Sequence, residues 1–118
     1  MTRNETTRPD AARDDAHDLM PAWLAAEIPS LYSQEHTTDP TVRAKFFTPD
    51  SAWTWYVLEY SAVAPDGAER LAFGLVEGHE QELGYFSLDE LESVRGPLGL
   101  RIERDLWFTP CPLSTVRG

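Results

Sequence analysis

The sequence predicts a single domain of the α+β class, in which an antiparallel sheet of about five strands is accompanied by two short helices. The chain has 118 residues, and domains most often contain about 100–150 residues. Segments within 42–108 alternate apolar with polar residues or consist of aromatic and β-branched residues, which is typical of strands. Turn-forming residues separate these segments at short intervals, which indicates an antiparallel meander.

Five segments are predicted as strands, and they lie at 42–47, 53–60, 70–77, 83–86 and 100–108. The second carries the strongest signal because nearly all of WTWYVLEY is aromatic or β-branched. Gly67 closes the hairpin that follows it, since glycine readily adopts a positive φ. Pro110 and Pro112 predict that no strand pairing follows the last segment, because proline donates no ladder hydrogen bond.

Two helices are predicted, one before the strands and one between the fourth and the fifth. The first covers 19–28, with Asp18 as its N-cap and Pro21 in its first turn. The second opens at Ser87, which forms a capping box with Glu90. Glycines and a proline at 96–99 end it.

Composition divides the chain into a disordered N-terminal tail at 1–17, the domain at 18–113 and a C-terminal tail at 114–118. The apolar side chains of the first tail are Met1 and three alanines, so this segment has little to bury. The single cysteine, Cys111, cannot form an internal disulfide. No apolar run reaches the roughly 20 residues of a membrane span, and a cytoplasmic protein is expected.

The charge of the chain limits its partners. Ten Lys and Arg residues stand against twenty Asp and Glu residues, which gives a net charge of -10. Direct binding to nucleic acid or to an anionic membrane is disfavoured, because both depend on cationic side chains. We expect a basic protein as the partner.

The acidic segment, residues 77–92, holds six acids and no Lys or Arg. Its negative field resembles a row of phosphates and could occupy the basic groove of a nucleic-acid-binding protein. Alternatively, its acids cap a helix and solvate a loop. The predicted partner-binding residues are five of these acids and two aromatic residues: Glu77, Glu80, Glu82, Asp89, Glu92, Trp53 and Trp55.

The aromatic residues of the second strand occur on both of its faces. Strict alternation places Trp53 and Trp55 on one face, and Tyr56 and Tyr60 on the other. Such residues pack in a core, anchor a protein interface, or stack on single-stranded bases. The last of these needs basic flanks, which the net charge makes the weakest of the alternatives.

The last predicted strand contains a cation among apolar positions. Arg104 shares a face with Ile102, so we expect a buried ion pair with Glu59 or Glu82. The alternative function uses Glu59 with two carboxylates of this strand as a metal-dependent hydrolase or nuclease. The residues of that alternative are Glu59, Glu103 and Asp105.

No cofactor or metal is expected. The histidines, His17, His36 and His79, are scattered without the spacing of a zinc site. Cys111 has no base near it in sequence that would form a thiolate. Gly-rich phosphate loops, nucleophile elbows and CxxC pairs do not occur.

Residues 31–113 resemble the domain of unknown function 2958 family. The matching segments are LYSQE at 31–35, KFFTP at 45–49, WTWYVLE at 53–59, FGLVEG at 73–78, ELGYFSLDEL at 82–91 and GLRIERD at 99–105. The resemblance implies small proteins of bacteria, phages and plasmids, a setting in which small acidic proteins often block host defence. It implies no catalytic residues.

These observations lead to one expected function. The chain is interpreted as a non-enzymatic acidic protein of mobile elements. It would inhibit or modulate a nucleic-acid-handling host defence protein, as anti-CRISPR and anti-restriction proteins do, with mimicry of nucleic acid as one means.

Overall fold

The computed structural model describes residues 15–117 and confirms the α+β class. The helices in that range are short: α1 (Ala22–Ala25), α2 (Leu88–Ser93) and α3 (Leu113–Val116). The strands are β1 (Thr41–Val42), β2 (Ala44–Phe47), β3 (Thr54–Val63), β4 (Glu69–Glu77), β5 (Gln81–Ser87), β6 (Glu103–Arg104) and β7 (Cys111–Pro112). No helix in the described part of the chain is long and apolar enough to cross a membrane.

The main sheet has five antiparallel strands in the order β5-β4-β3-β2-β6. Its central strand, β3, is the aromatic segment with the strongest strand signal in the sequence. β3 pairs with β2 and β4, and its residues 55–60 are buried because a hydrophobic core packs on each face of the sheet. A second sheet joins β1 to β7.

Side chains on the two faces of the main sheet form separate cores. We call face A the side that carries Phe46, Trp55 and Phe86, against which α2 and the segment around α1 pack. Face B is the opposite side, where Tyr56 and Leu75 pack with residues of β1 and α3. The larger core lies on face A.

A β-bulge in β3 overturns one part of the expected alternation. The register with β4 shifts between Val57 and Glu59, so Leu58 and Glu59 both lie on face B. Tyr60 consequently returns to face A and packs in the same core as Trp55. The prediction that Tyr56 and Tyr60 share a face was wrong, because a bulge inserts one residue into the alternation.

The helix starts differ in how well the sequence predicted them. The Ser87 side chain accepts a hydrogen bond from the Glu90 backbone N–H at 3.2 Å, which confirms the predicted N-cap of α2. The prediction of Asp18 as N-cap of the first helix was wrong, since that helix is α1 and its N-cap is Pro21. The carbonyl of Asp18 instead accepts a hydrogen bond from Arg104 Nε at 3.0 Å.

Two predicted strands are interrupted in the structure. Segment 42–47 divides at Arg43 into β1 and β2, because Val42 packs on face B and Ala44 on face A. Segment 100–108 keeps only β6, after which the Asp105 side chain accepts the Trp107 N–H at 2.9 Å and the chain turns.

The prediction that Pro110 and Pro112 end strand pairing was wrong. Pro112 pairs with Thr41 in the two-stranded sheet, and Cys111 pairs with Val42. Proline is tolerated in edge strands, where one side of the backbone needs no ladder partner.

The described chain begins and ends inside the predicted tails, while residues 1–14 and Gly118 lie outside the described residues. Of the predicted N-terminal tail, the Ala16 carbonyl accepts the Arg104 N–H at 2.7 Å. Of the predicted C-terminal tail, Ser114 lies in α3 and donates hydrogen bonds from its N–H and hydroxyl to Asp39 at 2.9 and 2.6 Å. These hydrogen bonds lower the pKa of Asp39 below its ordinary value.

Candidate partner-binding site

Trp53 is an exposed aromatic residue whose ring is held in place from several sides. Its indole stacks on Trp55, with ring centroids 6.1 Å apart and an interplanar angle of 25°. The His79 ring meets it edge-on at 5.8 Å. A Cβ atom at Gly78 would overlap the indole, so the close approach of this ring requires glycine. With 38% of its surface exposed, Trp53 is both rigid and accessible.

The backbone of Trp53 is fixed by the turn that precedes β3. Thr48 Oγ1 accepts the Trp53 N–H at 3.0 Å, and the Thr48 N–H donates to the Trp53 carbonyl at the same distance. The Thr48 hydroxyl also bonds the Ser51 hydroxyl at 2.7 Å. These bonds close a compact turn that fixes the backbone from which the indole projects.

Two cavities flank the Trp53 ring. The first, which we call the turn cavity, has a volume of about 250 Å³ and is lined by Trp53, Val76, His79, Glu80 and Glu82. The second, the loop cavity, has a volume of about 480 Å³. It is lined by Thr48, Ser51, Trp53, Trp55, Val94, Arg95, Gly96 and Pro97. The ring therefore forms a ridge between an acidic depression and a more apolar one.

The loop after α2 is fastened to the turn before β3 through Asp50. Its Oδ2 accepts hydrogen bonds from the N–H groups of Leu98 at 2.8 Å and Leu100 at 3.4 Å. A Cβ atom at Gly96 would overlap the Asp50 carboxylate, so glycine is required there too. This contact fixes the wall of the loop cavity opposite the tryptophans.

The structure divides the acidic segment between its two ends. Glu80 and Glu82 are exposed beside Trp53, and neither makes an ion pair within residues 15–117. At the other end of β5, Arg70 binds Asp89 at 2.5 Å and Glu92 at 2.8 and 3.0 Å.

The carboxylates around Arg70 serve the fold. The hydrogen bonds to Glu92, with a smaller contribution from Asp89, raise the pKa of the Arg70 guanidinium above its ordinary value. The single positive charge of Arg70 offsets one of the two negative charges, and both carboxylates are held in hydrogen bonds within the chain. A further acid of the segment, Glu77, accepts a hydrogen bond from the Gln81 side chain. Of the seven predicted binding residues, the structure thus brings together Trp53, Trp55, Glu80 and Glu82, and keeps Glu77, Asp89 and Glu92 in contacts within the chain.

The carboxylates of the alternative enzyme hypothesis have separate surroundings. Glu59 is only 3% exposed, and its two oxygens accept the N–H groups of Tyr32 and Gln34 at 2.8 Å each. Glu103 lies 3.9 Å from His17, and Asp105 lies 3.9 Å from Lys45.

No group of three or more His, Cys, Asp or Glu residues could hold a metal ion in the described part of the chain. The Glu59 carboxylate holds the backbone around Tyr32 through its hydrogen bonds, and Tyr32 has a φ of 71°.

Arg104 is buried, as the sequence predicted, but its neighbours differ from the predicted ones. It is 4% exposed, and its guanidinium lies 5.5 Å from the centre of the Trp23 ring. The predicted pairing with Glu59 or Glu82 was wrong. Glu59 lies on face B, whereas Arg104 pairs with Phe46 of face A, and Glu82 lies on β5 at the opposite edge of the sheet.

Three exposed aromatic residues were not predicted as binding residues: Tyr32, Tyr85 and Trp107. Trp107 follows β6 and is 92% exposed. Tyr85 on β5 is 53% exposed, and its ring contacts Phe73 at 4.8 Å and Tyr32 at 6.2 Å. Burial and neighbouring Tyr32 raise the pKa of Tyr85. The one sequence signal for Tyr85 was its place in an alternating strand. Its exposure follows from the edge position of β5, whose residues on face B are only partly covered.

Comparison with known proteins identifies the family of the chain. A family model described as Protein of unknown function (DUF2958) matches residues 19–116, and the chain belongs to this family. The match confirms the resemblance seen in the sequence. No curated protein and no solved structure matches the chain.

Proposed function

We propose that this member of the family is a binding protein, which docks a basic surface of another protein at Trp53 and the turn cavity. The observation that carries the proposal is the state of Trp53. Its ring is held by Trp55, Gly78 and His79, yet 38% of its surface remains exposed. A rigid aromatic side chain loses little conformational entropy on binding, and Trp is enriched among residues that dominate binding energy.

The charge of the turn cavity favours a basic partner. Glu80 and Glu82 are free of ion pairs in the described residues, and no cation lines the cavity. Their field adds to the net charge of -10 and would accelerate encounter with a positive surface. A guanidinium or ammonium group in this cavity would meet both a carboxylate and an indole face, which attract it together.

Within this class we propose a nucleic-acid-handling protein of a host defence system as the partner. Such proteins expose basic grooves, and an acidic domain of this size can inhibit or modulate them by covering the groove, as anti-CRISPR and anti-restriction proteins do. We infer only limited mimicry of nucleic acid, because the carboxylates of Asp89 and Glu92 bind Arg70 and are not both available to a partner. A mobile-element origin and a cytoplasmic setting are parts of the same proposal, the latter because Cys111 is unpaired.

Capture from a bacterial extract, read by mass spectrometry, tests this proposal. The bait proteins are the natural chain, the Glu80→Gln/Glu82→Gln variant and the Glu90→Gln control, which removes an exposed acid of α2. We expect the natural chain and the control to enrich the same basic nucleic-acid-binding protein, and the double variant to lose it. Equal capture by all three baits, or capture of acidic proteins alone, would contradict the proposal.

A further inference from the structure

β5 is an edge strand of unusual composition. It has seven residues and pairs with β4 on one side, while no strand of residues 15–117 lies on its other side. Alternate residues of β5 direct their backbone N–H and C=O groups to this outer side, where these groups have no ladder partner in the sheet. Natural edge strands are usually short, covered, interrupted by proline or charged, and β5 has seven residues, no proline and one charged residue, Glu82.

The face B side of β5 is apolar and exposed. Leu83 is 41% exposed and Tyr85 53% exposed, and the two are alternate residues of the strand. Both line a cavity of about 340 Å³, whose floor includes Leu58 and Phe73. An apolar side chain placed outside β5 on this face would extend an existing apolar surface.

The face A side of β5 differs in both charge and bulk. Glu82 pairs with Val76 and lines the turn cavity beside Trp53. Gly84 pairs with Gly74, and the two glycines differ in the space around them. A Cβ atom at Gly74 would overlap the Tyr56 carbonyl, whereas a Cβ atom at Gly84 would have open space around it. Glycine in a strand often marks close approach by another backbone, and within the described chain no atom beyond the adjacent residues lies within 4 Å of the position of a Gly84 Cβ atom.

We propose that β5 accepts an extended segment of the basic partner as an added strand, with basic residues on face A and apolar residues on face B. The inference rests on the proposed function and specifies which part of the partner binds. Strand addition supplies main-chain hydrogen bonds for affinity, and alternate side chains supply specificity. Alternating basic and apolar residues complement Glu82 on one face, and Leu83 with Tyr85 on the other.

A second copy of this chain is a poorer occupant of the same edge. Each copy carries a net charge of -10, and pairing of two β5 strands would bring their Glu82 and Glu80 side chains onto one extended surface. Like charges on paired strands repel, and charged side chains on edge strands are a known means of preventing edge-to-edge association. The charges that discourage self-pairing attract a basic strand.

Synthetic peptides test the inference on the full chain by ¹⁵N-NMR titration. One peptide alternates seven lysine and valine residues, the second has the same composition without alternation, and the third is the first with N-methyl groups on alternate amides. We expect the alternating peptide to bind at least about tenfold more tightly than the other two, and to shift the backbone amides of β5. Equal affinity for the three peptides would overturn strand addition.

Protein variants complete the test. Leu83→Ser/Tyr85→Ser should lose the alternating peptide, while Val63→Ser, which removes an apolar residue that is 67% exposed on β3, should bind it normally. Both sites are exposed, so both variants should keep the circular dichroism of the natural chain. Sedimentation that shows a dimer, lost in the β5 variant, would overturn the inference in favour of a second copy. Capture that depends on Glu80 and Glu82 but not on Leu83 and Tyr85 would overturn strand addition alone and leave the proposed function standing.

Discussion

The two ends of the acidic segment use the same residue type for opposite purposes. At the helix end, Asp89 and Glu92 share Arg70 and fasten α2 to the start of β4. At the turn end, Glu80 and Glu82 lie beside Trp53, and no Lys or Arg of residues 15–117 lines their cavity. A run of acids in sequence is therefore not one charged surface. Its function can be assigned only after each carboxylate has been matched with its neighbours.

The two ends are also far apart. β5 has seven residues, and a strand rises about 3.3 Å per residue, so roughly 20 Å separates them. At physiological salt concentration this exceeds the Debye length of about 8 Å. Glu80 and Glu82 at the turn end and Asp89 and Glu92 at the helix end consequently act as independent groups. Each end can therefore be altered without disturbing the other.

The largest effect on stability is expected from Glu59, a third kind of acid, whose buried carboxylate accepts two backbone N–H groups. Glu59→Gln should lower the free energy of unfolding by about 2–3 kcal/mol, because the amide oxygen can accept only one of the N–H groups of Tyr32 and Gln34, and the amide nitrogen, itself a donor, faces the other. Urea denaturation measures this loss. A variant as stable as the natural chain would show that the carboxylate does not anchor the segment around Tyr32.

The next largest effect is expected at the turn end, from Gly78→Ala. The added methyl group must displace the Trp53 indole, which should cost about 1–3 kcal/mol and weaken partner binding at least about tenfold. Trp fluorescence and calorimetric titration measure the two effects. Val63→Ser is the control, because Val63 is 67% exposed at the end of β3 that is remote from Trp53. Normal binding by the Gly78 variant would disconnect Trp53 from the site.

A smaller loss is expected at the helix end, from Arg70→Gln. The Arg70 side chain is 29% exposed, so solvent screens its ion pairs, and we expect a loss of about 1 kcal/mol that shrinks at high salt. Thermal unfolding at two salt concentrations measures it. Affinity for the basic partner should not fall, because the variant frees two carboxylates. A fall in affinity with unchanged stability would reverse the roles of the two ends.

The smallest effect on stability is expected from Glu80→Gln/Glu82→Gln. Both residues are exposed and make no ion pair in the described chain, so the free energy of unfolding should change by less than about 0.5 kcal/mol. Denaturant titration checks this. A loss as large as that of Arg70→Gln would mean that these acids serve the fold as well.

Local chemistry allowed much of the fold to be predicted. β3 follows from a run of aromatic and β-branched residues, and the start of α2 from Ser87 and Glu90, three residues apart. Contacts between distant residues set the remainder. The bulge that moves Tyr60 to face A depends on the register with β4, and the pairing of Cys111 with Val42 joins residues far apart in the chain.

The candidate site could be predicted only in part, for the same reason. Trp53, Glu80 and Glu82 stood out by residue type, and the pairing of β4 with both β3 and β5 brings them together. No sequence pattern indicated that Arg70 would bind Asp89 and Glu92, because that contact crosses from β4 to α2. Composition therefore counted Asp89 and Glu92 as free acids, although Arg70 binds both.

We propose that the turn end binds the partner and that the helix end does not. The most direct measurement is the salt dependence of the dissociation constant for the captured partner. It compares Glu80→Gln/Glu82→Gln with Asp89→Asn/Glu92→Gln, two variants that each remove two negative charges. We predict weaker binding and a shallower slope against salt for the first, and natural affinity and slope for the second. Equal effects of the two variants, or a larger effect at the helix end, would contradict the claim.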